Sequence, residues 1–253
     1  MMVNKNKKIV YLFGGSGLIG SAINKLLIKK NYKVINFDIK KGGSNFVYFN
    51  CSDLSQIKIT LIENFRRFGV PDVLINCSYP TEGDWMKNDF KRLELNRVKN
   101  NLDVHLLSYT FISDIIAKKM VQKKTKGKII LFSSIYGFLA QNLNNYKGTK
   151  LKENVTYSLI KGGILSLVKQ MAAYYGKKNL QINAVSPGAV IGHIKGSKEK
   201  QNKKFINNYS KNTPLGRFAK PIEIANLVNF LSSNECSYIT GQNIIIDGGY
   251  SII

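Results

Sequence analysis

The chain has 253 residues, 44% of them hydrophobic, and carries 38 Lys and Arg against 15 Asp and Glu, a formal net charge of +23. That hydrophobic fraction excludes a disordered chain, and no apolar run is long enough for a spanning helix, so no membrane partner is expected. Cys51, Cys77 and Cys236 are odd in number and lack metal-ligand spacing, which argues against a disulfide framework or a metal centre and for a reducing, cytoplasmic setting. The basic N-terminus runs straight into a strand pattern with no signal-peptide core. The positive charge is lysine spread along the chain beside many asparagines, so nucleic acid is not an expected partner. A field favouring anionic, phosphorylated ligands is the milder consequence.

In chain order, residues 8–13 (KIVYLF) form a short apolar run suited to a buried parallel strand. A glycine-rich turn follows, and Leu18, Ile19, Ala22, Ile23, Leu26 and Leu27 then mark one face of a helix. Strands are predicted at 32–38 and 45–50, a helix near 54–68 and a strand at 71–77. A long helical region covers roughly 93–123 and precedes a strand at 128–134. A helix from about 156 to 175 leads to a sixth strand at 180–186. The lysine-rich stretch 193–211 reads as a mobile, solvated lid. A helix near 222–231 and a strand at 243–249 complete the series. Seven strands alternating with helices, with no linker-like break, predict an α/β fold: a single Rossmann-type doubly wound domain over 1–253, with a seven-stranded parallel sheet flanked by helices. Within it, an insertion at about 138–154 and a lid at about 192–212 stand out.

The turn "FGGSGLIG" places Gly14, Gly17 and Gly20 at intervals of three between the first strand and the first helix. In that context Gly14 permits a tight turn, Gly17 lets the backbone approach a pyrophosphate, and Gly20 allows close packing of the helix on the sheet. Asp38 ends the second strand, where a carboxylate accepts hydrogen bonds from an adenosine ribose. Its charge opposes a 2′-phosphate and favours NAD over NADP.

"YSLIK" sets Tyr157 and Lys161 four residues apart on one helix face. Bringing a tyrosine from pKa 10 to about 7 takes roughly 4 kcal/mol, and an ammonium at about 4 Å supplies about that much at an effective dielectric near 20. Lys161 is therefore expected to lower the Tyr157 pKa, making the phenol a general acid/base.

The ordered set of motifs resembles the short-chain dehydrogenase/reductase family over essentially the whole chain. "GGSGLIG" matches the phosphate loop of its extended branch, with Phe13 where Thr is usual. Asp53 in "CSDLS" matches an adenine contact, "NCSY" from Asn76 occupies the place of the Asn-Asn-Ala-Gly element, and Ser134 of "FSSIYG" matches the catalytic serine. Tyr157 and Lys161 match the Tyr-x-x-x-Lys pair, while "SPG" and "YITGQNIIIDGG" match the late cofactor-side loop and last strand. The resemblance implies Ser134, Tyr157 and Lys161 as catalytic. Cofactor contacts are implied along the turn at Gly14, Ser16, Gly17, Leu18 and Ile19. Asp38, Asp53 and Asn76 would fix the adenosine half, Lys161 would bind the nicotinamide ribose, and Leu54, Tyr157, Pro187, Gly188 and Val190 are further implied cofactor contacts. Tyr79 and His193 are candidate substrate contacts. His105 stands where the family's fourth catalytic residue is usually Asn, so either His105 takes that role, or Asn101 compensates, or His105 only bonds the backbone.

"NLDVHLLS", "SSIYG", the long insertion and "YSLIKGGI" resemble the oxidoreductases associated with legionaminic acid and flagellin glycan synthesis. That resemblance implies a small-molecule substrate: a sugar phosphate, amino sugar or related polyol, oxidised or reduced at a secondary alcohol or ketone with NAD(P). A homodimer or homotetramer is implied as well. The alternatives are a 3-oxoacyl-carrier-protein reductase or general alcohol dehydrogenase and, from another class, a non-catalytic nucleotide-binding regulatory protein.

Overall fold

The computed structural model describes residues 7–81, 83–192 and 201–253. Seven parallel strands form one sheet: β1 (Ile9–Phe13), β2 (Lys33–Asp38), β3 (Phe46–Tyr48), β4 (Val73–Asn76), β5 (Lys128–Phe132), β6 (Gln181–Pro187) and β7 (Asn243–Ile246). Their spatial order is β3-β2-β1-β4-β5-β6-β7. The strands lie within a residue or two of the predicted runs at most ends.

Alternation along each strand builds two cores. Tyr11, Phe13, Ile35, Phe37, Leu74, Ile129 and Leu131 face one layer, where α2 (Ile57–Phe68), α4 (Ser108–Gln122) and α5 (Val155–Tyr175) pack. Val10, Leu12, Val34, Val73, Ile75 and Ile130 face the other, covered by α1 (Leu18–Lys29) and α7 (Pro221–Ser232). Burial on both faces explains why these strands read as unbroken apolar runs.

The chain leaves β1 toward β2 and β3, then returns to place β4 on the other side of β1. A crevice opens at such a reversal, beyond the carboxyl ends of the strands. The glycine turn after β1 and the segment after β4 form its two walls.

The helical region predicted over roughly 93–123 is α3 (Leu95–Asn101) and α4 joined by a π-helical segment, Leu102–Leu107. One element departs from expectation. The stretch read as a solvated lid includes a helix, α6 (Lys203–Lys211), missed because its polar composition hid one apolar face. Phe205, Ile206 and Tyr209 of that face pack with Ile135, Phe218 and Tyr250. No described helix is long and apolar enough to cross a membrane.

Candidate active site

The crevice is a cleft of about 510 Å³ whose lining includes Gly14, Ser16, Gly17, Asp38, Tyr157 and Lys161. One end is the glycine turn. Gly14 has φ +80°, and a Cβ there would lie 2.6 Å from the Ser78 Cα, so only glycine allows the β1 and β4 loops to approach so closely. A Cβ at Gly20 would strike the Gly14 carbonyl, so Gly20 accommodates the turn itself rather than the sheet. Gly17 caps α1 with no capping side chain, and a Cβ there would meet only the Gly14 carbonyl, at 3.3 Å. Its lack of a side chain leaves the floor open beside uncapped helix N–H groups, a surface suited to a pyrophosphate.

Asp38 lies across this floor. Its carboxylate accepts from the Ser16 and Lys40 amides, each at 2.9 Å, which orients it at the cleft wall. These residues fit the adenosine and phosphate parts of a dinucleotide. Leu18, Ile19, Pro187 and Gly188 also line the cleft, whereas Asp53, Leu54, Asn76 and Val190 do not. Asp53 is exposed and accepts from the Ser55 hydroxyl at 2.6 Å. Asn76 is buried beneath the wall, where its Oδ1 accepts from the Ser78 hydroxyl at 2.7 Å and amide at 3.2 Å. It shapes the segment that carries Tyr79. Val190 bridges to Ala219 instead. His193 lies outside the described residues.

At the other end, β5 hands Ser134 to a tight turn, Ile135–Gly137. A Cβ on Gly137 would come within 2.8 Å of the Lys161 carbonyl, and Ser133 Oγ donates to that same oxygen at 2.8 Å. The serine turn is thereby pressed onto α5. Asn154 caps that helix, its Oδ1 accepting from the Tyr157 amide at 2.9 Å. Ser134 and Tyr157 line the same end of the cleft, where the serine hydroxyl lowers the phenol's pKa.

Lys161 is buried and comes from the same helix face. Its Nζ donates to the Phe132 carbonyl at 3.0 Å and lies 3.4 Å from His105 Nε2. It also stands 5.5 Å from the Tyr109 ring, 5.6 Å from Tyr157 and 5.8 Å from Tyr79. The electrostatic expectation is corrected here. Burial pushes the Tyr157 phenol above its ordinary range, with the Ser134 hydroxyl only partly offsetting it. Burial also pulls Lys161 down to about 7. The ammonium is turned toward a carbonyl and an imidazole, and in a poorly solvated cage each group favours its neutral form.

His105 sits in the π-helical segment and is fully buried. Burial and then the Lys161 charge hold it well below the usual histidine range. Its Nε2 faces Lys161 Nζ, and its Nδ1 has no hydrogen-bond partner among the described residues. His105 is absent from the cleft lining and stands behind Lys161. Asn101 donates to the Arg97 carbonyl at 2.9 Å.

Sequence reasoning did not name several wall residues, among them Phe37, which carries no motif, and Cys77 and Ser78 of the NCSY element, from which only Asn76 and Tyr79 were taken. It also missed Gln141, whose Nε2 donates to the Asn154 carbonyl at 2.7 Å and to Ser158 Oγ at 2.9 Å. The insertion is thus fastened to the start of the helix that carries Tyr157.

The family model described as Enoyl-(Acyl carrier protein) reductase matches residues 22–251. The chain belongs to the short-chain dehydrogenase/reductase family of oxidoreductases. Among its relatives, the post-translational flagellin modification protein A of Campylobacter coli is 24% identical, covering 97% of this chain and 98% of that protein. A 3-oxoacyl-acyl-carrier-protein reductase of Buchnera aphidicola is 29% identical over 99% of this chain and 100% of its own length. A short-chain dehydrogenase of Leptospira borgpetersenii, crystallised with bound NAD+, superposes with a TM-score of 0.85 at 27% identity, covering 99% of this chain and 98% of that one.

Proposed function

We propose that this short-chain oxidoreductase uses NAD in preference to NADP to interconvert a secondary alcohol and a ketone on a sugar phosphate, amino sugar or related polyol in bacterial glycan synthesis. The observation that carries the reading is that Ser134, Tyr157 and Lys161 line one end of a cleft whose other end holds the glycine turn and Asp38. A dinucleotide bound along that cleft supplies the hydride acceptor or donor. Asp38 would accept from the ribose hydroxyls, and its charge would oppose a 2′-phosphate.

Ser134 Oγ and Tyr157 Oη hold the substrate oxygen between them. For oxidation, the alcohol proton passes to Tyr157 Oη, and for reduction the phenol returns it. Lys161 Nζ, 5.6 Å from the Tyr157 ring, stands beside the phenol, while burial works against a charge on either group. His105 acts as a positioning residue, accepting from Lys161 Nζ so that the head group stays beside the phenol. Tyr79 contributes a half-exposed ring to the substrate side.

The likeness to the Campylobacter protein supports a glycan-related substrate. The 3-oxoacyl-carrier-protein reductase reading retains one specific support, because a net charge of +23 suits an acidic carrier partner. Exposed Phe111 on α4 and Leu159 on α5 support a homodimer or homotetramer, and three free cysteines support a cytoplasmic setting.

Absorbance at 340 nm, followed with NADH and with NADPH against sugar phosphates, polyols and acyl thioesters, tests the reading. Tyr157→Phe is expected to keep the cofactor dissociation constant and lose about a hundredfold or more in kcat. Undiminished turnover in that variant excludes the mechanism, and turnover confined to acyl thioesters selects the carrier-protein reading.

A further inference from the structure

One aromatic side chain beside the reacting group has no part in the chemistry above. Trp85 is the only tryptophan in the sequence and opens a tight turn, Trp85–Lys87, after β4. Its ring stands 5.7 Å from Tyr79 at 89° and 6.4 Å from Tyr157 at 84°. The Trp85 carbonyl accepts from Asn88 Nδ2 and Asn154 Nδ2, both at 2.9 Å. Asn154 is the residue that caps α5 at Tyr157, so one side chain sets both the indole and the phenol. Tyr79 lines the cleft and is 52% exposed, and the partly buried indole stands against it just outside the cleft lining.

We propose that Trp85 and Tyr79 form the wall against which a cyclic, sugar-type substrate lies, making Trp85 a specificity-determining residue. The inference rests on the assignment of Tyr157 as the proton-exchanging group. Aromatic faces left open beside a reacting hydroxyl gain most by covering carbon-bound hydrogens. Two rings at right angles make a corner, which fits a compact rigid ring lying flat on one face and edge-on to the other. A straight acyl chain makes far less use of a corner. The polar end fits as well, because the Tyr79 hydroxyl can donate to a ring hydroxyl or phosphate oxygen.

The single tryptophan supplies the test. With the full chain saturated with NAD+, its fluorescence is followed during titration with glucose 6-phosphate and N-acetylglucosamine 6-phosphate. Open-chain sorbitol 6-phosphate and acetoacetyl-CoA are the contrasting probes. A saturable change is expected with at least one pyranose and a weaker response with the open-chain probes. Trp85→Ala should raise KM for that pyranose about tenfold, with kcat changed less than about threefold, and Trp85→Phe should restore most of the loss. A response to the open-chain probes alone, a response to none of the four, or an unchanged KM in Trp85→Ala overturns the proposal. Should Trp85→Ala not fold, the titration of the unaltered chain and Trp85→Phe still decide. Tyr157→Phe in the same titration separates the two assignments. Retained turnover there defeats the mechanism, whereas the fluorescence response judges Trp85 by itself.

Discussion

Tyr157 and Lys161 show how burial governs a proton-transfer pair. Because the phenol is held above its ordinary range, its proton-accepting form grows only toward alkaline pH. Alcohol oxidation should therefore rise with pH and ketone reduction fall. Ser134→Ala removes the hydroxyl that lowers the phenol's pKa, so the rising limb of kcat/KM for oxidation should move further alkaline. A limb that stays in place or moves toward acid would assign the titration to another group. Lys161 has a second signature, in stability. Its folded value of about 7 lies below the ordinary 10.5, so the unfolded chain binds a proton there that the folded chain releases between those limits. Stability then improves as pH rises through that window, and the full cost of charging applies below it. Lys161→Met should abolish turnover yet stabilise the fold by about 1–4 kcal/mol at pH 6.5, raising Tm by at least about 2 °C. Thermal melts should show that gain shrinking toward pH 10.

Among the elements, α5 matters most, because its first turn positions the reacting phenol. Asn154 ends the loop before it with one side chain that caps the Tyr157 amide and holds the Trp85 carbonyl. Removing the cap costs about 0.5–2 kcal/mol. Asn154→Ala should lower Tm and also reduce kcat several-fold, whereas Asn154→Asp keeps the accepting oxygen and most of the stability. A melt that drops with kcat unchanged would reduce Asn154 to a purely structural cap. The insertion bears on the same turn through Gln141. It bears on α6 through Asn145, whose buried side chain donates to the Tyr250 hydroxyl at 2.7 Å and accepts from Asn212 Nδ2 at 3.1 Å. Contacts of this kind, amide to amide across 67 residues of sequence, leave no periodic trace in either segment.

For the molecule as a whole, the order in which strands are added to the parallel sheet reverses between β1 and β4, and everything chemical gathers at the carboxyl ends around that reversal. The chain carries a net charge of +23. Attraction of this type is screened beyond about 8–10 Å at physiological salt. With a phosphorylated substrate, kcat/KM should fall as ionic strength rises from about 0.01 to 0.15 M, while a neutral polyol should be nearly insensitive. Equal salt responses would remove the long-range field from the account of substrate choice.

Strand placement, the glycine turn, Asp38, and the pairing of Tyr157 with Lys161 were legible in the sequence alone. Each depends on local period or spacing, and burial on both sheet faces writes the central strands β1, β4 and β5 as apolar runs. Residues such as Trp85, Gln141 and Asn145 were not legible, because their roles come from partners distant in the chain. The direction of the Tyr157 and Lys161 shifts was decided by tertiary structure too. Spacing brings a cation to a phenol, but the surrounding rings and the lack of solvent set what each charge costs, and only the folded cage determines that.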